Sequence, residues 1–79
     1  MSVVADVLEY VARSLVEEPD EVRVTEEDGQ GGLRLRLEVA PDDVGKIIGR
    51  GGRTARAIRT VVRAAGTTAG LHPNIEIVG

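Results

Sequence analysis

Between Leu33 and Val39 the chain alternates without a fault. Leu33, Leu35, Leu37 and Val39 fall on one side of an extended backbone, and Arg34, Arg36 and Glu38 on the other. A helix would scatter those leucines around its circumference, so the segment is read as a strand with one buried and one wet face. In a chain of 79 residues the buried face must be covered by what little sequence remains.

The remaining segments supply that cover. Ser2 caps a helix whose apolar positions are Val4, Leu8, Val11 and Leu15, with Val7 beside them, and Glu17, Glu18 and Pro19 end it. Val22 to Glu26 alternates and predicts a strand. Asp28 to Gly32 predicts a glycine-rich turn. Pro41 opens a short helix with Asp42 and Asp43 in its first turn, where acids suit the positive end of the dipole; Val44, Ile47 and Ile48 give it an apolar side. Gly49-Arg50-Gly51-Gly52 interrupts it. A further helix runs from about Arg53 to Ala65 and is expected to stop at Gly66. Thr67 to Pro73 is a loop, and Asn74 to Val78 a last strand.

The order is helix, strand, strand, helix, helix, strand. The first two strands, joined by a tight glycine turn, should pair antiparallel. The second and third, separated by two helices, can lie parallel through a right-handed crossover. The expected fold class is therefore α+β: a two-layer sandwich of order αββααβ, with a three-stranded mixed sheet and helices on one face. Residues 1–79 form one domain, with Leu33, Leu35, Leu37 and Val39 at the centre of its core.

Composition excludes several classes. With no cysteine there is no disulfide framework and no thiolate metal site, and a single histidine, His72, has no partner for metal or nucleophilic chemistry. The sequence points to no enzyme, no metal and no cofactor. No apolar run approaches the ~20 residues that span a bilayer. Asp6 and Glu9 inside the first apolar stretch argue against a signal peptide, so a cytoplasmic protein without a membrane partner is expected. With one tyrosine, Tyr10, and no tryptophan or phenylalanine, nucleic-acid folds that stack bases on aromatic platforms are excluded. Tyr10 is expected to pack at the rim of its helix.

The net charge of −3 conceals a division. Residues 1–45 carry 12 acids and 4 bases, a net −8, whereas residues 46–79 carry 6 bases and 1 acid, a net +5. From Lys46 to Arg63 there are six cations (Lys46, Arg50, Arg53, Arg56, Arg59 and Arg63) and no acid. On a helical wheel Arg53, Arg56, Arg59 and Arg63 share one arc, while Ala55, Ile58, Val61, Val62 and Ala65 share the opposite one. One face packs and the other presents a row of guanidinium groups. The glycines stand just before this helix, whose N-terminus offers free backbone N–H groups to an anion such as phosphate. A P-loop is excluded, because its first glycine would be Ile47 and its lysine is Arg53. A dinucleotide fingerprint is excluded because a helix, not a strand, leads into the glycines. What remains is a GxxG loop between two short helices.

The stretch Val44-Gly45-Lys46-Ile47-Ile48-Gly49-Arg50-Gly51-Gly52-Arg53-Thr54-Ala55-Arg56-Ala57-Ile58-Arg59 resembles the core of the KH family, in which an Ile-Ile-Gly lead-in precedes the GxxG loop. The element order resembles the bacterial, type II form, and the length resembles the small stand-alone KhpA family. Ala55 stands where many KH domains carry a larger aliphatic residue. The resemblance implies single-stranded RNA as partner, about four nucleotides held with their sugar–phosphate backbone on the loop. By that resemblance the RNA-binding residues are Lys46, Ile48, Gly49, Arg50, Gly51, Gly52, Arg53 and Arg56, with Ile48 helping to floor an aliphatic groove. It also implies a homodimer, a second KH protein of the KhpB type as partner, and an RNA chaperone or post-transcriptional role linked to cell shape. Two other readings stay open: a KH-like scaffold that chiefly binds protein and holds RNA weakly, and a binder of a small phosphate ligand. Arg34 and Arg36 are read as the solvent face of their strand.

Overall fold

A computed structural model describes residues 2–78. Helix α1 spans Val3–Leu15, strand β1 Arg23–Gly29, strand β2 Gly32–Glu38, helix α2 Val44–Ile48, helix α3 Arg53–Thr68 and strand β3 Asn74–Val78. Short 3₁₀ turns at Pro19–Glu21, Pro41–Asp43 and Arg50–Gly52 join them. The sheet order is β1-β2-β3; β1 pairs antiparallel with β2, and β2 parallel with β3. The fold is α+β in the order αββααβ, as the strand and helix patterns predict.

The hairpin is tighter than its sequence suggests. Pairing runs from Arg23 opposite Glu38 to Gly29 opposite Gly32, so β1 extends through Gly29 and only Gln30 and Gly31 form the turn. On β2, Leu35 and Leu37 are fully buried and Val39, just past the strand, nearly so, while Arg34 and Arg36 face solvent. Leu33 is half-buried at the margin of the core. Arg36 meets Glu76 across the parallel pair at 3.9 Å on the open face of the sheet.

Helix α1 starts as expected, with the Ser2 hydroxyl accepting the Ala5 N–H at 3.2 Å. The Ser2 N–H donates to the Glu26 carboxylate, which ties the start of α1 to β1; hydrogen bonding from the Ser2 side chain, and then from its N–H, holds that carboxyl below its ordinary pKa. The face α1 buries is rotated from the expected one. Val4, Ala5, Leu8 and Ala12 are buried, Val7 and Val11 lie at the flank, and Leu15 is 39 % exposed. Two of the four buried positions are alanines, and the larger Val7 and Val11 pack at the flank of the core. Tyr10 does not pack at a rim; it is 75 % exposed.

Helix α3 does not stop at Gly66. It continues to Thr68, and Gly66 is buried inside it, where an added Cβ would stand 2.6 Å from the Leu71 carbonyl oxygen and 3.0 Å from Val4 Cγ1. This glycine provides close approach, not termination. The terminator is Gly70, with φ +72. The Leu71 N–H reaches back to the Gly66 carbonyl at 2.7 Å and the Gly70 N–H to that of Thr67 at 3.1 Å, the two bonds of a Schellman motif. Val61, expected among the packed residues of α3, is 49 % exposed, while Ala55, Ile58 and Val62 are buried. The exposed Val61 and the rotated face of α1 have one source: a helical period gives the angular spread of apolar residues but not how wide a neighbour will cover it.

Candidate nucleic-acid interface

Helix α2 is five residues long and too short to persist by propensity. Ile47, fully buried, roots it in the core, and Ile48 is left half-buried at the surface. The helix closes with the Gly49 N–H on the Gly45 carbonyl at 2.8 Å. Gly49 then takes φ +73 and ψ 172, a backbone region that only glycine occupies readily. A Cβ there would lie 2.2 Å from Thr54 Oγ1 and 2.9 Å from the Thr54 nitrogen, so the loop folds directly against the first turn of α3. Gly51 and Gly52 follow with φ +64 and +76, both left-handed and both facing open space. The Gly52 N–H returns to the Gly49 carbonyl at 3.1 Å, which closes the loop into a compact ring.

The loop ends on the N-terminus of the 16-residue α3, whose N-cap is Gly52 and which has no side-chain cap. Backbone donors of its first turn are thus left for solvent or for an anion. Arg50 and Arg53 are exposed on either side. Among the described residues no carboxylate comes within 4.0 Å of Arg50, Arg53, Arg56, Arg59 or Arg63. The positive field here is therefore not neutralised internally.

The predicted residues come together, but not as one row. Gly49, Arg50, Gly51 and Gly52 form the loop, and Ile48 lies next to it. Arg56 donates from Nη2 to the Gly51 carbonyl at 3.1 Å, so it buttresses the loop as well as charging it. Arg53 turns to the other flank of α3. There it borders an apolar groove of about 330 Å³ lined by Val11, Leu15, Ala57, Ile58 and Val61. Ala55 is buried, 3 % exposed, beneath the first turn of α3. Lys46 is the cation already engaged, with Nζ 3.7 Å from both Glu17 Oε1 and Asp43 Oδ1.

Asp43 was not distinguishable from Asp42 as a helix-start charge, yet it is buried while Asp42 is exposed. It accepts the backbone N–H groups of Glu17 and Glu18, each at 3.1 Å. The bond from Glu17, with help from Glu18 and Lys46, outweighs the opposing effect of burial and holds the carboxyl below its ordinary pKa. Its stabilising effect is present above the unfolded carboxyl pKa, near ~3.9, and is lost as pH falls through the lower folded value. Nothing in the sequence marks this role; it depends on a contact across 26 residues. His72 is an exposed loop residue, and among the described residues no group of His, Asp or Glu is placed to hold a metal. No helix is long and apolar enough to cross a membrane.

Residues 5–77 match the model of the KH domain of KhpA and KhpB. The chain belongs to this family. It is 49 % identical over 71 residues to the RNA-binding protein KhpA of Clostridium acetobutylicum, covering 90 % of this chain and 95 % of that one. It is 42 % identical to the Aquifex aeolicus protein of the same name over 99 % of both chains. The KH fold also appears in solved structures. A chain of Aquifex aeolicus Era matches with TM-score 0.62 at 19 % identity, covering 94 % of this chain and 29 % of that one. Era in complex with a segment of 16S ribosomal RNA matches with TM-score 0.63, again at 19 % identity, over 94 % of this chain and 28 % of that one. At that identity the likeness speaks to fold.

Proposed function

We propose that this KH domain binds single-stranded RNA; its KhpA relatives are named RNA-binding proteins. About four nucleotides run past the Gly49–Gly52 loop with their phosphates on it, and the bases lie over the aliphatic surface beside Ile48. The observation that carries this reading is the uncapped N-terminus of α3 beneath three positive-φ glycines, flanked by cations with no carboxylate partner. Arg50 and Arg53 supply charge at the loop, and Arg56, Arg59 and Arg63 extend it along α3. The domain acts by binding, as an RNA chaperone or post-transcriptional regulator in the cytoplasm, and not as an enzyme.

The test is the double substitution Arg50→Asp with Gly51→Asp. Gly51 is left-handed and faces open space, a conformation aspartate tolerates, so the fold should survive. Single-stranded RNA affinity should fall by a factor of ten or more, since two repelling charges replace one attracting charge at the loop. Unchanged affinity in the folded variant would sink the reading.

One observation favours a second, compatible role as a protein-binding surface. Leu15 and Val61 are exposed at the apolar groove between α1 and α3, which Val11, Ala57 and Ile58 also line. We assign it to a second copy of this chain, because one strip shared by two helices can pair with itself about a two-fold axis. A KhpB-type KH protein would compete for the same strip. Val61→Asp should shift the sedimentation of the protein to the monomer while leaving its helical signal unchanged. A dimer that survives this change would move the interface elsewhere.

A further inference from the structure

Asp43 is the buried charged side chain of the described structure, 1 % exposed. It sits at the N-cap of α2, where an aspartate ordinarily bonds its own helix, yet it makes no such bond. Both its oxygens are turned to the chain leaving α1: Oδ1 accepts the Glu17 N–H and Oδ2 the Glu18 N–H, each at 3.1 Å, immediately before Pro19. Oδ1 also lies 3.7 Å from Lys46 Nζ, one turn further along α2. Charge-assisted bonds of this kind are among the stronger polar contacts and are sensitive to geometry.

The consequence lies in what α2 carries. Five residues cannot fix their own orientation, so contacts outside the helix must do so. Ile47 sets its depth by entering the core and Val44 packs half-buried against it, but apolar contacts along one side of a five-residue helix hold its roll only loosely. The paired bonds to Glu17 and Glu18 remove that freedom. Gly49 follows at the other end of α2 and has no slack, being closed against Thr54 with no room for a single added carbon. A roll of α2 would therefore be transmitted to the loop.

We propose that Asp43 is the positioning residue of the phosphate loop: by tying α2 to the end of α1 it sets where Lys46 and Gly49–Gly52 stand. Its effect on RNA rests on the function proposed above; its effect on loop geometry does not.

The experiment uses the full chain with Asp43→Asn and Asp43→Ser, and Asp42→Asn as control, each followed by amide NMR and by titration with a single-stranded RNA oligonucleotide. Asparagine keeps the shape but offers one acceptor where two N–H groups converge. The Glu17 and Glu18 amides should lose protection in both Asp43 variants. The Gly49, Gly51 and Gly52 amides should shift with them, while Gly31 and Gly32 in the hairpin stay in place. RNA affinity should fall about tenfold, the lower end of what supporting contacts carry behind metal sites, and Lys46→Gln should cost less in the Asp43→Asn background than in the wild type. Loop amides that stay in place while those of Glu17 and Glu18 open would overturn the proposal. So would global unfolding of Asp43→Asn with Asp42→Asn folded, which would make Asp43 a determinant of the whole fold; unchanged RNA affinity with a displaced loop would take the RNA off the loop and sink the proposed function. Failure of the wild-type chain to bind RNA would sink the proposed function instead, and the loop amides would still decide the positioning role.

Discussion

Two four-residue segments of this chain have nearly the same composition: Gly29-Gln30-Gly31-Gly32 in the hairpin and Gly49-Arg50-Gly51-Gly52 between the helices. Each has three glycines, and each borders a concavity of about 330–340 Å³ or lies next to residues that do. Their backbones differ. In the hairpin only Gly32 has a positive φ, and no added Cβ would meet anything within 4 Å. In the helical loop all three glycines have positive φ, and Gly49 is pressed onto Thr54. Their surroundings differ as well. The hairpin follows Glu26-Glu27-Asp28 and joins strands, whose dipoles largely cancel. The loop is surrounded by cations and opens onto the positive end of a helix. Glycine content makes a chain able to turn; the flanking elements and charges decide whether the turn can hold an anion.

The largest expected effect separates the two segments by stability. Gly49→Ala places a side chain in a glycine-only conformation and against a backbone nitrogen. Strain of ~1–3 kcal/mol from the former and ~1–3 kcal/mol from the latter should unfold a substantial fraction of so small a domain. Gly29→Ala has an ordinary φ and open space and should be neutral, or stabilising by up to ~1 kcal/mol through the unfolded chain. Urea denaturation of the two variants measures the difference. Equal costs would remove the structural distinction between the segments.

The next effect separates them by charge. If three or four phosphates are neutralised, log affinity for single-stranded RNA should fall against log salt with a slope of about −2 to −3. Arg50→Asp with Gly51→Asp should flatten that slope. The matching pair in the hairpin, Gln30→Asp with Gly31→Asp, should leave the slope unchanged and the affinity within about twofold, because distant exposed charges are screened. A hairpin pair that flattened the slope as much would put the RNA on both segments.

How much of this contrast the sequence reveals depends on the range of the interactions. The strand alternation from Leu33 to Val39 and the Ser2 cap are set within a few residues and are legible directly, as is a glycine-rich turn between two strands, although the turn is shorter than Asp28 to Gly32 suggests. The GxxG segment is legible for the same reason: glycines, cations and helix start are contiguous. What was hidden is set by contacts across the fold. Gly66 looked like a helix stop, yet Leu71 and Val4 decide that it is a packing glycine inside the helix. Val61 looks buried on the wheel, which cannot show that the neighbouring elements leave that flank of α3 49 % exposed. Asp43 and Lys46 looked like a helix-start acid and a free cation. Their partner, the chain at Glu17 and Glu18, lies 25 or more residues away, and no local pattern announces it.

That distant partner leads to the smallest expected effect. Glu17 is the exposed acid that the first half of the chain places beside Lys46, with its carboxylate 3.7 Å from Lys46 Nζ and its side chain 75 % exposed. An exposed pair of this kind is worth at most ~1 kcal/mol, because water screens it and two long side chains must be held still. A phosphate arriving at Lys46 must compete with Glu17 for the same ammonium group. Glu17→Gln should therefore raise RNA affinity by no more than about fivefold and steepen the salt slope by about 0.7, the contribution of one further phosphate on a single strand. The backbone N–H of residue 17 still reaches Asp43 in this variant, so the loop keeps its place and only the competition is removed. The gain should vanish in a Lys46→Gln background. If it persists there, Glu17 acts on the RNA through the general field of the acidic half of the chain, and Lys46 is a strut and not a phosphate ligand.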